Sequence, residues 1–182
     1  SGEIAVYAPL DKDNLKTSFT VISDGHIEGN NSERHKNYIE CFRDMANAEV
    51  KSRALVMCGD NTMNGQAFES SILYGLINKY NTVENVLMAV GNHDICPGKH
   101  NSGDYEDLKN RFIKYNNAFL EHKIENLYHS AVIDGYHYII LSSDKDAGVA
   151  QYISPEQFEW LDNELKMAAE SGNPVFLFSH WP

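Results

Sequence analysis

Three short apolar segments, separated by stretches with helical spacing, restrict the fold of this 182-residue chain most strongly. They lie at residues 17–23, 54–58 and 86–90, and apolar residues largely run through them instead of alternating with polar ones. Strands buried on both faces have this pattern, which is typical of parallel sheets covered by helices. The order strand, helix, strand, helix, strand therefore predicts an α/β layer structure.

The stretches between and after these strands carry apolar residues at helical spacing. Helices are predicted over residues 33–51, 65–80 and 105–120. In the second of them, one apolar face is expected to contain Phe68, Ile72, Leu73, Leu76, Ile77 and Tyr80. Residues 1–16 are polar and are expected to be irregular.

The later part of the chain predicts a hairpin and a further strand. Segments 127–133 and 136–141 flank Asp134 and Gly135, a pair that favours a two-residue hairpin turn. Residues 174–179 form another apolar run and are expected to be a last buried strand.

A helix is predicted between the hairpin and that last strand. Ser154 suits the N-cap, Pro155 suits the first helical position, and Gln157 would complete a capping box. Gly172 is placed to end the helix. Its apolar face is expected to contain Phe158, Leu161 and Leu165.

Polar side chains that can bind metal follow each of the buried strands. In chain order they are Asp24 and His26, then Asp60, then Asn92 and His93, and finally His180. In open α/β sheets, ligands bind beyond the carboxyl ends of the strands. Four polar clusters at equivalent strand ends therefore indicate one shared site, although each residue alone also fits an ordinary turn or helix cap.

The residue types in these clusters suit divalent cations. Asp24 and His26 are two positions apart, so an extended segment directs both side chains to one side. An oxygen ligand beside a nitrogen ligand suits zinc, manganese or iron. Asp60 offers two oxygens that can bridge two ions about 3.5–4 Å apart. Asn92 would add an oxygen ligand without negative charge, and His180 a second nitrogen ligand.

His93 suits a catalytic role. Adjacent residues of an extended segment point apart, so Asn92 can hold metal while His93 faces the substrate. A protonated imidazole there would stabilise charge on a phosphoryl oxygen or protonate the leaving alcohol, an effect of roughly 10²–10⁴-fold. The remaining histidines have no convergent placement in the sequence, and His129 and His137 are expected to be ordinary sheet residues.

The composition excludes some partners and leaves the compartment open. A net charge of −11 argues against nucleic acid, whose phosphate backbone selects clustered Lys and Arg. The longest apolar runs, 54–58 and 86–90, are too short to cross a bilayer. The chain begins without the apolar core of a signal peptide, and an export signal that was already removed stays an alternative. The oligomeric state also stays open.

Four blocks of sequence occur in order along the chain. They are Asp24-Gly25-His26, residues 59–65 (Gly-Asp-Asn-Thr-Met-Asn-Gly), residues 91–94 (Gly-Asn-His-Asp) and residues 178–182 (Phe-Ser-His-Trp-Pro). Together they resemble the first four signature blocks of the calcineurin-like metallophosphoesterase superfamily. The resemblance runs from residue 19 to residue 182 and implies a four-layer α/β/β/α sandwich, with residues 1–182 forming a single domain.

The resemblance also implies a set of ligands for two divalent ions (manganese, iron, zinc or similar). The implied ligands are Asp24 and His26 on the first ion, Asn92 and His180 on the second, and Asp60 between them. His93 would act on the phosphoryl group, and a hydroxide between the two ions would attack phosphorus in line.

Two departures from the family pattern bear on this interpretation. The family's fifth block, a Gly-His-x-His that supplies one more histidine to each ion, is absent up to Pro182, so a C-terminal part of the domain is expected to be missing. Met63 stands where protein Ser/Thr phosphatases have an Asp and purple acid phosphatases a metal-binding Tyr. This favours the broad phosphodiesterase-like group, and Asp94 is then a hypothesis for the group that orients His93.

The leading prediction is therefore a metal-dependent hydrolase of phosphoesters, with monoester and diester substrates both open. A binding scaffold of the same fold with an incomplete, non-catalytic metal site is the alternative. A doubly wound nucleotide-binding module would need a Gly-x-Gly-x-x-Gly after the first strand, and residues 24–29 do not supply it.

Overall fold

A computed structural model describes residues 11–29, 32–95, 103–145 and 151–181. Within these ranges the strands are β1 (Phe19–Ile22), β2 (Ala54–Cys58), β3 (Asn85–Ala89), β4 (His129–Ile133), β5 (Tyr136–Ile140) and β6 (Val175–Phe178). The helices are α1 (Ser32–Asn47), α2 (Ala67–Tyr80), α3 (Asn92–Ile95), α4 (Tyr105–Phe119) and α5 (Pro155–Ser171). None of the helices in the described ranges is both long and apolar enough to cross a membrane.

The strands form two three-stranded sheets. The first has the order β1-β2-β3 with all strands parallel, and the second has the order β4-β5-β6 with β4 antiparallel to β5 and β6 parallel to it. The first sheet is the parallel sheet predicted from the apolar segments. Within the described residues, β1 and β3 are the edge strands of the first sheet, and β4 and β6 are those of the second.

The two sheets pack face to face, and helices cover their outer sides. Alternate residues of β2 go to opposite sides: Ala54 and Val56 pack against Tyr138 of the second sheet, whereas Leu55 and Met57 pack against α1 and α2. α5 contacts β5 on the far side. The predicted four-layer sandwich is confirmed, and it explains why Ala54 to Met57 are all fully buried.

The hairpin and the ends of α5 follow the predicted turn and capping chemistry. Asp134 and Gly135 have φ angles of 53° and 84°, as a two-residue turn with two left-handed positions requires. The Ser154 hydroxyl accepts a hydrogen bond from the Gln157 N–H at 3.0 Å. Gly172 ends the helix at φ 69°.

The predicted capping box of α5 is wrong, and its predicted apolar face is wrong at Phe158 and Leu165, whereas Leu161 is half-buried. The Gln157 amide donates to the Ser142 carbonyl and to Asp144, in the segment that follows β5, and the Ser154 N–H donates to Asp144 instead of to Gln157. The face that α5 turns towards the sheet contains buried Gln157 and Ala168, while Phe158 is 58% exposed and Leu165 is 43% exposed. The buried stripe is thus rotated by about one position from the predicted one.

Two helix boundaries and two further details also differ from prediction. α1 ends at Asn47, not at residue 51, and α2 begins at Ala67 because Gly65 takes a left-handed φ of 60° and Gln66 acts as the N-cap. Phe68, predicted on the buried face of α2, is 50% exposed. Residues 12–14 form a short 3-10 helix within the predicted irregular segment, whose residues 1–10 lie outside the described ranges.

Candidate metal centre

The loops after β1 and β2 are held in left-handed backbone conformations at the predicted ligands. Asp24, His26 and Asp60 have φ angles of 56°, 44° and 49°. Such values are uncommon outside glycine and cluster at functional sites, where the surrounding structure enforces them. The two loops are joined by backbone hydrogen bonds, from the Asp24 N–H to the Gly59 carbonyl and from the His26 N–H to the Asp60 carbonyl. These bonds bring the first and second strand ends together.

Asp60 lies at the centre of the cluster and is 4% exposed. Its Oδ1 is 3.4 Å from His180 Nε2 and also accepts the His93 backbone N–H at 2.9 Å. Its Oδ2 is 3.8 Å from His26 Nε2, which is also 3.8 Å from Asp24 Oδ1. The two oxygens of one carboxylate therefore face two different histidines.

Two overlapping groups around Asp60 bring their ligand atoms within 4.8 Å of one another. One group contains His26, Asp60 and His93, and the other contains Asp24, Asp60 and His180. The nitrogen-to-oxygen distances of 3.4–3.8 Å are longer than a good hydrogen bond. They approach the spacing of two ligands that each lie about 2.0–2.2 Å from a shared cation. The donor set thus fits divalent ions.

Asn92 and His93 begin α3 directly after the third strand. Asn92 is half-buried and lies next to the His93 N–H that binds Asp60. His93 also stacks edge-on against His26, with ring centres 4.6 Å apart. The structure thus brings the predicted catalytic histidine to the predicted ligands, and the individual roles of these residues stay predictions.

Backbone carbonyls orient two of the histidine rings. His93 Nδ1 donates to the Met63 carbonyl at 2.7 Å, and His180 Nδ1 donates to the Cys58 carbonyl at 3.0 Å. A carbonyl only accepts, so Nδ1 carries the proton and Nε2 of each ring is left for an ion or a substrate. The hypothesis that Asp94 orients His93 is wrong, because the main chain of Met63 does so.

Asp94 instead holds the loops themselves together. Its buried carboxylate accepts the backbone N–H groups of Asn61, Thr62 and Gly91, as well as the Thr62 hydroxyl and the Asn61 amide. Burial raises the pKa of this carboxyl group, and these donors oppose the shift. Asp94 is a positioning residue that the sequence analysis assigned to the wrong partner.

Two glycines allow the strand ends to approach each other. A Cβ on Gly91 would lie 2.1 Å from Asp60 Oδ1 and 2.3 Å from its backbone nitrogen. A Cβ on Gly59 would lie about 2.5 Å from the His180 ring, and Gly59 also has a left-handed φ of 85°. Close packing at the centre therefore requires glycine at positions 59 and 91.

The charged groups of the centre shift one another's ionisation. Burial would raise the pKa of Asp60, but contacts with His180 and with the His93 N–H outweigh it and lower that pKa. The same contact with Asp60 raises the pKa of His180, against the effect of burial. Without a cation, the two side chains thus stabilise each other's charged forms.

A cavity of about 390 Å³ opens beside the first strand end. Asp24 and His26 line one side of it, and Arg34 and Tyr38 of α1 line the other. Tyr38 is buried below the loop, and its hydroxyl would lie 1.9 Å from a Cβ on Gly25. The sequence analysis predicted only that residue 38 lies in a helix, and helical spacing gives no signal for this contact.

The chain resembles solved structures of two hydrolases at low sequence identity. It matches purple acid phosphatase PPD1 from yellow lupin (Lupinus luteus) seeds at 12% identity and a TM-score of 0.58, over 88% of this chain and 29% of that one. It also matches phosphopantetheinyl hydrolase (PptH) from Mycobacterium tuberculosis at 13% identity and a TM-score of 0.48, over 92% of this chain and 70% of that one. The chain therefore spans less than a third of the lupin enzyme, and that likeness shows the fold alone.

No curated protein sequence is similar enough to this chain to count as a match. The sequence profile of the calcineurin-like phosphoesterase family, however, matches residues 17–182, which include all four motif blocks. The chain belongs to the calcineurin-like phosphoesterase family.

Proposed function

We propose that this chain carries the dinuclear metal centre of a phosphoester hydrolase. The observation that carries the proposal is the position of Asp60, whose two carboxylate oxygens face His180 and His26 respectively. A carboxylate with one oxygen towards each of two nitrogen ligands is arranged to bridge two ions. Membership of a phosphoesterase family supports metal-dependent hydrolysis of phosphoesters in general.

Each predicted ligand has a role in this proposal. The set is Asp24 and His26 on the first ion, Asn92 and His180 on the second, and Asp60 on both. If these residues hold two divalent ions, the ions would supply a hydroxide nucleophile near neutral pH and would offset the charge of the phosphoryl oxygens. Asn92 adds a ligand without charge, which limits repulsion next to Asp60.

His93 acts on the substrate in this proposal. Its Nδ1 is held by the Met63 carbonyl, so Nε2 faces the cluster in a fixed orientation. A proton on Nε2 would neutralise a phosphoryl oxygen or move to the oxygen of the leaving alcohol. The cavity beside Asp24 and His26 offers about 390 Å³ next to the centre for part of the substrate.

The partner in this proposal is a phosphoester substrate, with no nucleic-acid or membrane surface required. The excess of acidic residues disfavours a polyanion, whereas bound dications offset the local carboxylates for a single phosphoryl group. The alternative from the sequence analysis, the same fold used as a binding scaffold, is an outcome that the following test separates from hydrolysis.

The test measures bound metal and the hydrolysis of p-nitrophenyl phosphate and its bis-ester, in the parent chain and in two variants. Asp60→Asn removes the bridging charge, and Asp134→Asn is the matched control, since both Asp residues have left-handed φ angles of 49° and 53°. We expect Asp60→Asn to lose both ions. Its activity should fall by more than about 100-fold, because the loss of a residue that only contacts a metal ligand already costs about 10–100-fold. Asp134→Asn should retain both properties.

The outcomes separate the two candidates. Two ions per chain with hydrolysis of one ester in the parent support the proposal. Bound metal with no turnover of either ester supports the scaffold. Normal turnover in Asp60→Asn contradicts the bridging role.

A further inference from the structure

A second pair of histidines lies outside the centre around Asp60. His122 is in the loop after α4, and His129 is the first residue of β4. Their rings are 5.3 Å apart between centres, at an angle of 70°. β5 separates β4 from β6, which leads to His180, so the backbones of these two strands are about 10 Å apart. The expectation that His129 is an ordinary sheet residue did not include this contact.

The two rings have buried nitrogen atoms without partners. Both ring nitrogens of His129 and Nε2 of His122 are buried and make no hydrogen bond among the described residues. His129 is only 8% exposed. A buried polar group without a partner costs about 1–3 kcal/mol, so such a cluster in a native protein points to a missing water or ion.

The loop that carries His122 is fixed in place. The Asn116 side chain of α4 donates to the His122 carbonyl at 2.8 Å. The next residue of α4, Asn117, binds both the N–H and the carbonyl of Ile124 at 2.8 Å each. His122 is therefore held next to His129 by contacts that do not depend on its ring, as a preformed ligand site requires.

The separation of the rings fits a shared cation. Two imidazoles bound to one tetrahedral zinc ion, with Zn–N distances of about 2.0–2.1 Å, have ring centres roughly 5 Å apart. Burial and the neighbouring His122 lower the pKa of His129 to about 3, and burial also lowers the pKa of His122. Both rings are thus neutral, which is the form that binds metal.

We propose that His122 and His129 bind one divalent transition-metal ion of the zinc type, separately from the centre around Asp60. One nitrogen of each ring is a ligand, and water completes the coordination from the side of His122, which is only half-buried. No carboxylate of the described residues joins the pair in a three-ligand group, so selectivity favours borderline metals over Mg²⁺ or Ca²⁺. The ion ties the loop after α4 to the edge of the second sheet.

The test uses the whole chain with Asp60→Asn, in which the centre around Asp60 is expected to lose its ions and the histidine pair is intact. Zinc stoichiometry by equilibrium dialysis and the shift of the melting temperature with Zn²⁺ are compared after adding His122→Gln, His129→Gln or His137→Gln. His137 is the matched control, because its Nδ1 is also buried without a partner, but it lies in β5.

We expect His122→Gln and His129→Gln each to lose one zinc equivalent, or to weaken zinc binding more than about tenfold. His137→Gln should retain it, and hydrolysis by the parent chain should not change when His122 is replaced. If His129→Gln does not fold, the result for His122→Gln alone tests the proposal. This variant should fold, because His122 is only half-buried and the hydrogen bond from Asn116 to its backbone carbonyl is retained.

Unchanged zinc stoichiometry in His122→Gln would overturn the proposal. So would a crystal structure grown with Zn²⁺ in which the rings hydrogen-bond to each other or to a water molecule. These results leave the centre around Asp60 untouched, so the failure of this proposal and the failure of the proposed function are distinguishable.

Discussion

The two halves of the sandwich differ in how completely they are packed. In the first sheet both faces of the central strand β2 are covered, and Ala54 to Met57 are fully buried between the second sheet and α1 and α2. On the second sheet, α5 buries only Gln157 and Ala168, and the edge strand β6 leaves Leu177 53% exposed. Asp60 and Asn92 therefore follow the buried strands β2 and β3, whereas Asp24 and His180 follow the edge strands β1 and β6, which are partly exposed.

The largest predicted difference in the free energy of unfolding is between two Phe→Ala variants, one on each half of the sandwich. Phe42 is fully buried against the first sheet, whereas Phe158 on α5 is 58% exposed. Phe42→Ala should lower the free energy of unfolding by about 3–5 kcal/mol, and Phe158→Ala by less than about 0.5 kcal/mol. Urea denaturation of both variants measures the difference. Equal losses would show that α5 is covered as fully as the first sheet.

The second-largest effect is expected for Asp94, whose carboxylate joins the loops of the first sheet. Asp94→Asn replaces an acceptor of five hydrogen bonds with a group that presents an NH₂ to several of those donors. We expect a loss of about 2–4 kcal/mol in the free energy of unfolding, since bonds to a charged acceptor contribute about 1.5–3 kcal/mol each. The exposed Asp162→Asn on α5 is the control. A loss equal to that of the control would mean that the network does not hold the loops.

A single methyl group tests how closely β2 and β3 approach at the centre. Gly91→Ala places a Cβ 2.1 Å from Asp60 Oδ1, which must move. Such overpacking costs about 1–3 kcal/mol, and metal binding should weaken as well. Gly75→Ala in α2 is the control, because a Cβ there meets nothing within 4 Å and the helix gains up to about 1 kcal/mol. Unaltered melting and metal affinity in Gly91→Ala would contradict the close approach.

The smallest effect should come from the ion pair that links the two halves at the surface. Arg53 donates two hydrogen bonds to Asp134 at 2.7 and 3.0 Å and lowers its pKa. Because the folded-state pKa is lowered, the stabilisation is present at neutral pH and is lost as the pH falls through that pKa. Arg53→Met should raise the pKa of Asp134 in an NMR titration and change the melting temperature little. A pKa that does not move would show that the pair does not form.

Patterns that depend on local chemistry predicted most of the fold correctly. The apolar segments predicted the parallel sheet, and Asp134-Gly135 and Ser154-Pro155 predicted the hairpin and the start of α5, because turn and cap geometry is set within a few residues. The buried face of α5 was not predictable in this way. Its position depends on Gln157, whose partners Ser142 and Asp144 are brought to it only by the folded sheet.

The metal centre likewise has some features that the sequence predicted and others that it could not predict. The strand-end positions of Asp24, Asp60 and His180 followed from the order of the elements. The groups that orient the rings did not, because backbone carbonyls such as that of Met63 carry no sequence signal. The pairing of His122 with His129 was missed for a related reason, since their contact joins a loop to a strand edge and matches no spacing motif.

The most direct test of the central claim is anomalous diffraction from crystals grown with Mn²⁺. The account predicts two peaks about 3.5–4 Å apart, with the Asp60 carboxylate between them and His26 and His180 on opposite sides. Absence of any peak within coordination distance of Asp60, or a single ion that contacts only one of its oxygens, would contradict it.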